Sequence, residues 1–154
     1  MKKFKTLALT FTVATSVLLS GTSAFALGTA NNNDSSASPN VFSGSSDSFD
    51  GTIDNSVDKD FDYYKWVNDT GSAKSFYVNF DTYENRSLDY RINSIGVSGI
   101  GAAATRVSVA TGREAWLVYL PAGERLTVQV TSATFSNYDP TKKYVISLGS
   151  SPWF

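Results

Sequence analysis

Phe76-Tyr77-Val78-Asn79-Phe80-Asp81 alternates apolar with polar side chains at every step, a period of two that only an extended strand with one buried face explains. The same rhythm recurs on either side of it. Leu88, Tyr90 and Ile92 alternate with Asp89 and Arg91; Val107 and Val109 sit among Thr105, Arg106 and Ser108; Leu126, Val128 and Val130 alternate with Thr127 and Gln129; Tyr144, Ile146 and Leu148 alternate with Val145 and Ser147. Residues 114–120 are apolar on both faces (Ala115, Leu117 and Tyr119 against Trp116, Val118 and Leu120), which predicts an interior strand. Helical periodicity is missing throughout.

Turn chemistry separates these runs: Asn68-Asp69-Thr70-Gly71, Glu84-Asn85-Arg86, Thr111-Gly112-Arg113, Pro121-Ala122-Gly123 and Asn137-Tyr138-Asp139-Pro140. About eight short strands at this spacing predict an all-β fold, an antiparallel β-sandwich of jelly-roll or Ig-like type. Residues 93–104, rich in Gly, Ser and Ala, read as a long mobile loop.

The chain has 154 residues and contains neither Cys nor His. That excludes thiol nucleophiles, Cys/His zinc sites, serine–histidine triads and disulfide frameworks. A formal net charge of −1 carries no basic nucleic-acid footprint.

Residues 1–26 read as a signal peptide. Lys2, Lys3 and Lys5 precede an apolar stretch from Leu7 to Leu19, and Ala24-Phe25-Ala26 is a small–x–small cleavage site. Thr22 stands where a lipidated Cys would have to be after Leu19-Ser20-Gly21, so lipid anchoring there is excluded. The expected product is secreted, with no stable membrane anchor, and loss of three lysines moves its net charge from −1 to −4. Residues 27–48 then read as a flexible polar leader that Val41-Phe42 could pin to the domain. The sandwich is expected over 49–149, followed by an aromatic tail, 150–154, ending in Trp153-Phe154.

Four pieces of this β pattern, in order, resemble the bacterial pre-peptidase C-terminal domain. They are Gly51-Thr52-Ile53-Asp54; Asp58-Lys59-Asp60-Phe61-Asp62-Tyr63-Tyr64-Lys65-Trp66, similar to the family's D-x-D-Y-Y-x-F signature; Leu88-Asp89-Tyr90-Arg91-Ile92; and Leu120-Pro121-Ala122-Gly123 with the two strands that follow. The likeness spans about 100 residues, nearly all of the part expected to be ordered. It departs from the family pattern at Glu124-Arg125, where a Tyr often follows the turn, and no protease is attached. The resemblance implies a stand-alone secreted β-sandwich, calcium near the acidic edge in some members, and protein or cell-surface polymer as partner.

Three groups of residues carry candidate chemistry. Asp58, Asp60 and Asp62, with Asp54 nearby, have the carboxylate density that calcium uses, though without the Gly and Glu of an EF-hand loop. The same aspartates also suit turn capping and protection of a strand edge, so calcium is an option and no cofactor is required. Among the aromatics, Tyr63, Tyr77 and Tyr83 fall on the polar sides of their strands and are the expected ligand-binding rings, able to stack on apolar ligand faces. The Trp153-Phe154 tail either docks to a partner or folds back on its own sandwich. Catalysis would need a carboxylate pair or a Ser–Lys pair; neither Glu114 with Glu124 nor Asp81 with Asp89 is singled out by spacing, and the Ser and Lys residues are too numerous to single one out. The reading is a monomeric, non-catalytic binding module for an extracellular protein or cell-wall or matrix polymer, not for nucleic acid. The alternative is a self-assembling or antagonistic, toxin-like β-sandwich that adds a strand to a neighbour's edge.

Overall fold

The computed structural model describes residues 35–53, 61–134 and 136–154, together with the backbone of 27–29. The signal segment expected at 1–26 lies outside the described residues, as do Asp54, Asp58 and Asp60. Ten strands and no helix are found among the described residues: β1 (Leu27–Thr29), β2 (Asn40–Val41), β3 (Ser48–Gly51), β4 (Phe61–Val67), β5 (Lys74–Asp81), β6 (Tyr90–Val97), β7 (Ala103–Ala110), β8 (Arg113–Leu120), β9 (Arg125–Ser132) and β10 (Tyr144–Gly149).

They form two layers, a six-stranded sheet in the order β1-β3-β10-β5-β8-β7 and a four-stranded sheet in the order β2-β4-β9-β6. The pairings are nested. β3 pairs with β10, β4 with β9 and β5 with β8, all antiparallel, while β6 adds to β9 and β7 to β8, so the innermost strands part into opposite layers of an antiparallel β-sandwich. Only the short edge pairings β1–β3 and β2–β4 are parallel.

The alternation read from the sequence fills the space between the sheets. Phe76, Val78 and Phe80 of β5, Val118 and Leu120 of β8 and Ile146 and Leu148 of β10 face Tyr64 and Trp66 of β4 and Leu126, Val128 and Val130 of β9. Trp66 packs edge-on against Phe76 with ring centroids 5.1 Å apart, a cross-layer aromatic contact.

Two expectations are corrected. Residues 93–104 are not a loop: β6 runs to Val97, β7 starts at Ala103, and Gly99 and Gly101 make the turn between them at positive φ. A bulge between Ile92 and Ser94 shifts the phase of β6 by one residue, which hid the inward pair Ile95 and Val97 from a strict period-two reading. β7, at the edge of the wider sheet, begins with Ala103 and Ala104, whose small side chains show no alternation; only its later part, around Val107 and Val109, reads as a strand.

The segment 27–48 is not simply a leader either. β1 and β2 pair with β3 and β4, the Phe42 N–H donates to the Lys65 carbonyl at 2.8 Å, and the Phe42 ring is 2% exposed in the core. Phe42 lies 5.2 Å from Phe49 and 5.8 Å from Tyr64, centroid to centroid.

A candidate binding groove on the four-stranded sheet

In β4, burial alternates so that Asp62, Tyr64 and Trp66 point inward while Phe61, Tyr63, Lys65 and Val67 point outward. In β9 the outward set is Arg125, Thr127 and Gln129, with Thr131 beyond them buried at 1% exposure, and in β6 it includes Arg91, Asn93, Ser94 and Gly96. The ladder places Tyr63 opposite Gln129 and Lys65 opposite Thr127. Gln129 donates Nε2–H to the Tyr63 hydroxyl at 2.8 Å and accepts the Asn93 amide on its Oε1. A polar chain therefore crosses three strands. The bulge makes it possible, because the extra residue leaves both Asn93 and Ser94 on the outer face.

This face is a groove rather than a plane. The turn at 35–38, closed by the Ser38 N–H to the Ser35 carbonyl at 2.9 Å, stands over the β4 edge just before β2 docks. Ser36, Ala37 and Pro39 form one wall of a cavity of about 450 Å³ whose other surfaces are Tyr63, Lys65, Ser94, Arg125, Thr127 and Gln129. One end is fixed by Asn68, which is fully buried. Its side-chain amide donates to the Leu120 and Pro121 carbonyls at 2.9 and 3.1 Å, and its backbone bonds Gly123 and Glu124, locking the β8–β9 turn next to Arg125.

Of the three rings expected to bind a ligand, only Tyr63 lies in this groove. Tyr77 is on the outer face of the six-stranded sheet, opposite Leu117 and Gly149. Tyr83 follows β5, 45% exposed, where burial and the neighbouring Glu84 hold its phenol above the ordinary range. The three therefore occupy separate surfaces and make no common platform.

The acidic set divides as well. Asp62, expected at an exposed edge, is turned into the core at 3% exposure, and its carboxylate accepts the Tyr144 hydroxyl. A carboxylate committed there does not fit a calcium ligand at a solvent edge. No cluster of three or more potential metal ligands occurs among the described residues.

The carboxylates weighed for acid–base work all have structural partners. Glu114 accepts the Ile92 N–H at 3.1 Å and Trp116 Nε1–H at 3.0 Å; Asp81 takes a two-pronged pair from Arg86 at 3.0 and 2.9 Å; Asp89 accepts from Ser132 and Thr134; Glu124 accepts from Ser98 at 2.6 Å. The aromatic tail folds back: the Trp153 N–H donates to Asn79 Oδ1 at 3.1 Å, and Arg113 sits 4.6 Å over the Phe154 ring.

The outward residues of β4 and β9 were legible as polar strand faces, but their meeting around Gln129 depends on strand register and on the bulge, neither of which period two reveals. Comparison with protein-family models and with curated proteins returns no match.

Proposed function

We propose that this protein is a secreted, non-catalytic module that binds an extracellular protein or cell-surface polymer, and that the groove on the four-stranded sheet is its binding surface. One observation carries this reading. Tyr63 offers a ring edged by an ordered chain of amides and hydroxyls inside a walled, open-ended groove of about 450 Å³. Rings beside placed hydrogen-bonding groups are what recognition of a hydroxyl-rich or peptide chain needs. The export signal read in residues 1–26 and the resemblance of the β pattern to a secreted module point the same way.

Co-sedimentation of the purified protein with peptidoglycan, chitin, cellulose and collagen tests it, each with calcium and with chelator. Selective pelleting that Tyr63→Ala abolishes supports the groove. An absence of pelleting with every partner removes the reading.

A second reading, self-assembly, is favoured by β7. This edge strand of eight residues carries one charge, Arg106, and exposes Val107 and Val109 beside a fully exposed Ile100. Unpaired edges of this kind accept a further strand. Oligomerisation that rises with concentration and is blocked by Val109→Lys supports this reading in place of polymer binding.

A further inference from the structure

Resting on the groove reading above, we infer that the ligand class is an anionic polysaccharide. The groove is lined by two cations, Lys65 and Arg125, and by no carboxylate. Arg91 projects from the same face, and no Asp or Glu side chain points outward from β2, β4, β6 or β9. This is a cationic face on a chain whose formal net charge is −1. Neither Lys65, Arg91 nor Arg125 is in an ion pair with a described carboxylate, whereas Arg86, Arg106 and Lys143 elsewhere each have one.

The register sharpens the point. Lys65 is opposite Thr127 and Val67 is opposite Arg125, so Lys65 and Arg125 are diagonal neighbours, ~7–8 Å apart at the backbone. Two like charges at that spacing repel unless an anion lies between them. A ligand carrying negative charge along its length offsets that repulsion, and the exposed Arg91 adds a third cation at the far end of the same face, beside the buried Thr131. The open outward positions of β9, from 125 to 129, span ~13 Å.

The remaining lining selects among anions. Single-stranded nucleic acid is held by several stacked rings along a basic channel, and this groove has one ring, Tyr63. An anionic bilayer needs protruding apolar side chains above a basic surface, and this site is recessed behind Ser36, Ala37 and Pro39. The side-chain amides of Asn93 and Gln129 and the hydroxyls of Ser94, Thr127 and Tyr63 match a chain bearing many hydroxyls together with carboxylate or sulfate groups.

The test is affinity electrophoresis of the purified protein through gels containing polygalacturonate, its fully methyl-esterified form, dextran sulfate or dextran. A single-stranded oligonucleotide and phosphatidylglycerol vesicles form two further arms. Retardation by an acidic polymer at least tenfold greater than by its neutral counterpart is expected, weakening as salt rises. The Lys65→Gln/Arg125→Gln double variant should lose at least tenfold in that affinity with an unchanged melting temperature, while Lys74→Gln on the other sheet binds like the wild type.

Equal retardation by acidic and neutral forms, or a double variant that binds normally, overturns the inference. So does tighter binding to oligonucleotide or vesicles than to any polysaccharide. Tyr63-dependent pelleting with a neutral polymer, with no retardation by either acidic one, overturns the anionic assignment and leaves the binding function standing. Failure with every polymer removes both.

Discussion

Tyr144 of the six-stranded sheet donates its hydroxyl to the carboxylate of Asp62 in the four-stranded sheet, joining the two layers by a hydrogen bond inside the core. The Tyr64 hydroxyl lies 2.6 Å from the same Tyr144 oxygen, so three polar groups share one buried locus. Burial, Tyr64 and Asp62 together hold the Tyr144 phenol well above its ordinary range, which keeps its proton in place for donation. Tyr144→Phe removes the donor and leaves the Asp62 charge with one partner fewer, a loss of about 1–3 kcal/mol. Urea unfolding of Tyr144→Phe, Asp62→Asn and the double variant should show a double loss smaller than the sum of the singles.

The same tyrosine dictates a glycine. Gly51 is the ladder partner of Tyr144, and a Cβ placed on it would lie 2.5 Å from the Tyr144 hydroxyl oxygen and 2.6 Å from Cζ. The ring is fully buried, edge-on to Tyr90 and 5.2 Å from Phe80, so it has nowhere to retreat. Gly51→Ala should therefore destabilise by about 1–3 kcal/mol through overpacking. Gly51→Ala combined with Tyr144→Leu should recover part of that loss, read as a higher urea midpoint than the sum of the singles gives.

How far the sequence led depends on the residues in question. Alternation in β5, β9 and β10 sorted Phe76, Val78, Phe80, Leu126, Val128, Val130, Ile146 and Leu148 correctly to the inside, because each strand has one face against the other sheet. It misplaced 93–104, where one bulged residue reversed the phase, and it gave Asp62 an exposed role although the inward alternation of Tyr64 and Trp66 already put position 62 on the buried face. Tyr63 was legible as an outward ring. Its neighbours Gln129 and Asn93 were not, since they lie 66 and 30 residues away in sequence, and only register brings them together.

Phe42 tests whether segment 27–48 can be treated as a leader. Its ring is buried against Phe49 and Tyr64, and its own N–H and the two residues before it are tied to β4. Phe42→Ala should cost about 3–5 kcal/mol, the range for emptying a buried aromatic site. Because Phe42 anchors the chain that walls the groove at Ser36, Ala37 and Pro39, the variant should also weaken polymer binding at temperatures where it remains folded. A Phe42→Ala protein with an unchanged melting temperature would return the whole segment to the status of a tether.

Asp89 sets a pH dependence at the opposite end of β6 from the Ser98–Ala102 turn. Partial burial alone would raise its carboxyl, but hydrogen bonds from the Ser132 hydroxyl, the Thr134 hydroxyl and the Thr134 N–H outweigh burial and hold it below the ordinary carboxylate range. A carboxyl depressed in the folded state stabilises fully above its unfolded value, near pH 4, and that contribution disappears as pH falls through the lower folded value. Asp89→Asn should thus be less stable than the wild type at pH 7, with the gap closing below about pH 4 as the wild-type carboxyl takes up its proton. The Asp50–Lys143 and Asp81–Arg86 pairs are present in both proteins, so their effect cancels in the difference between the two urea midpoints. A gap that stays constant from pH 7 to about pH 2.5 would mean that the Asn loses packing or turn geometry rather than charge, and that the Ser132 and Thr134 bonds do not act through ionised Asp89.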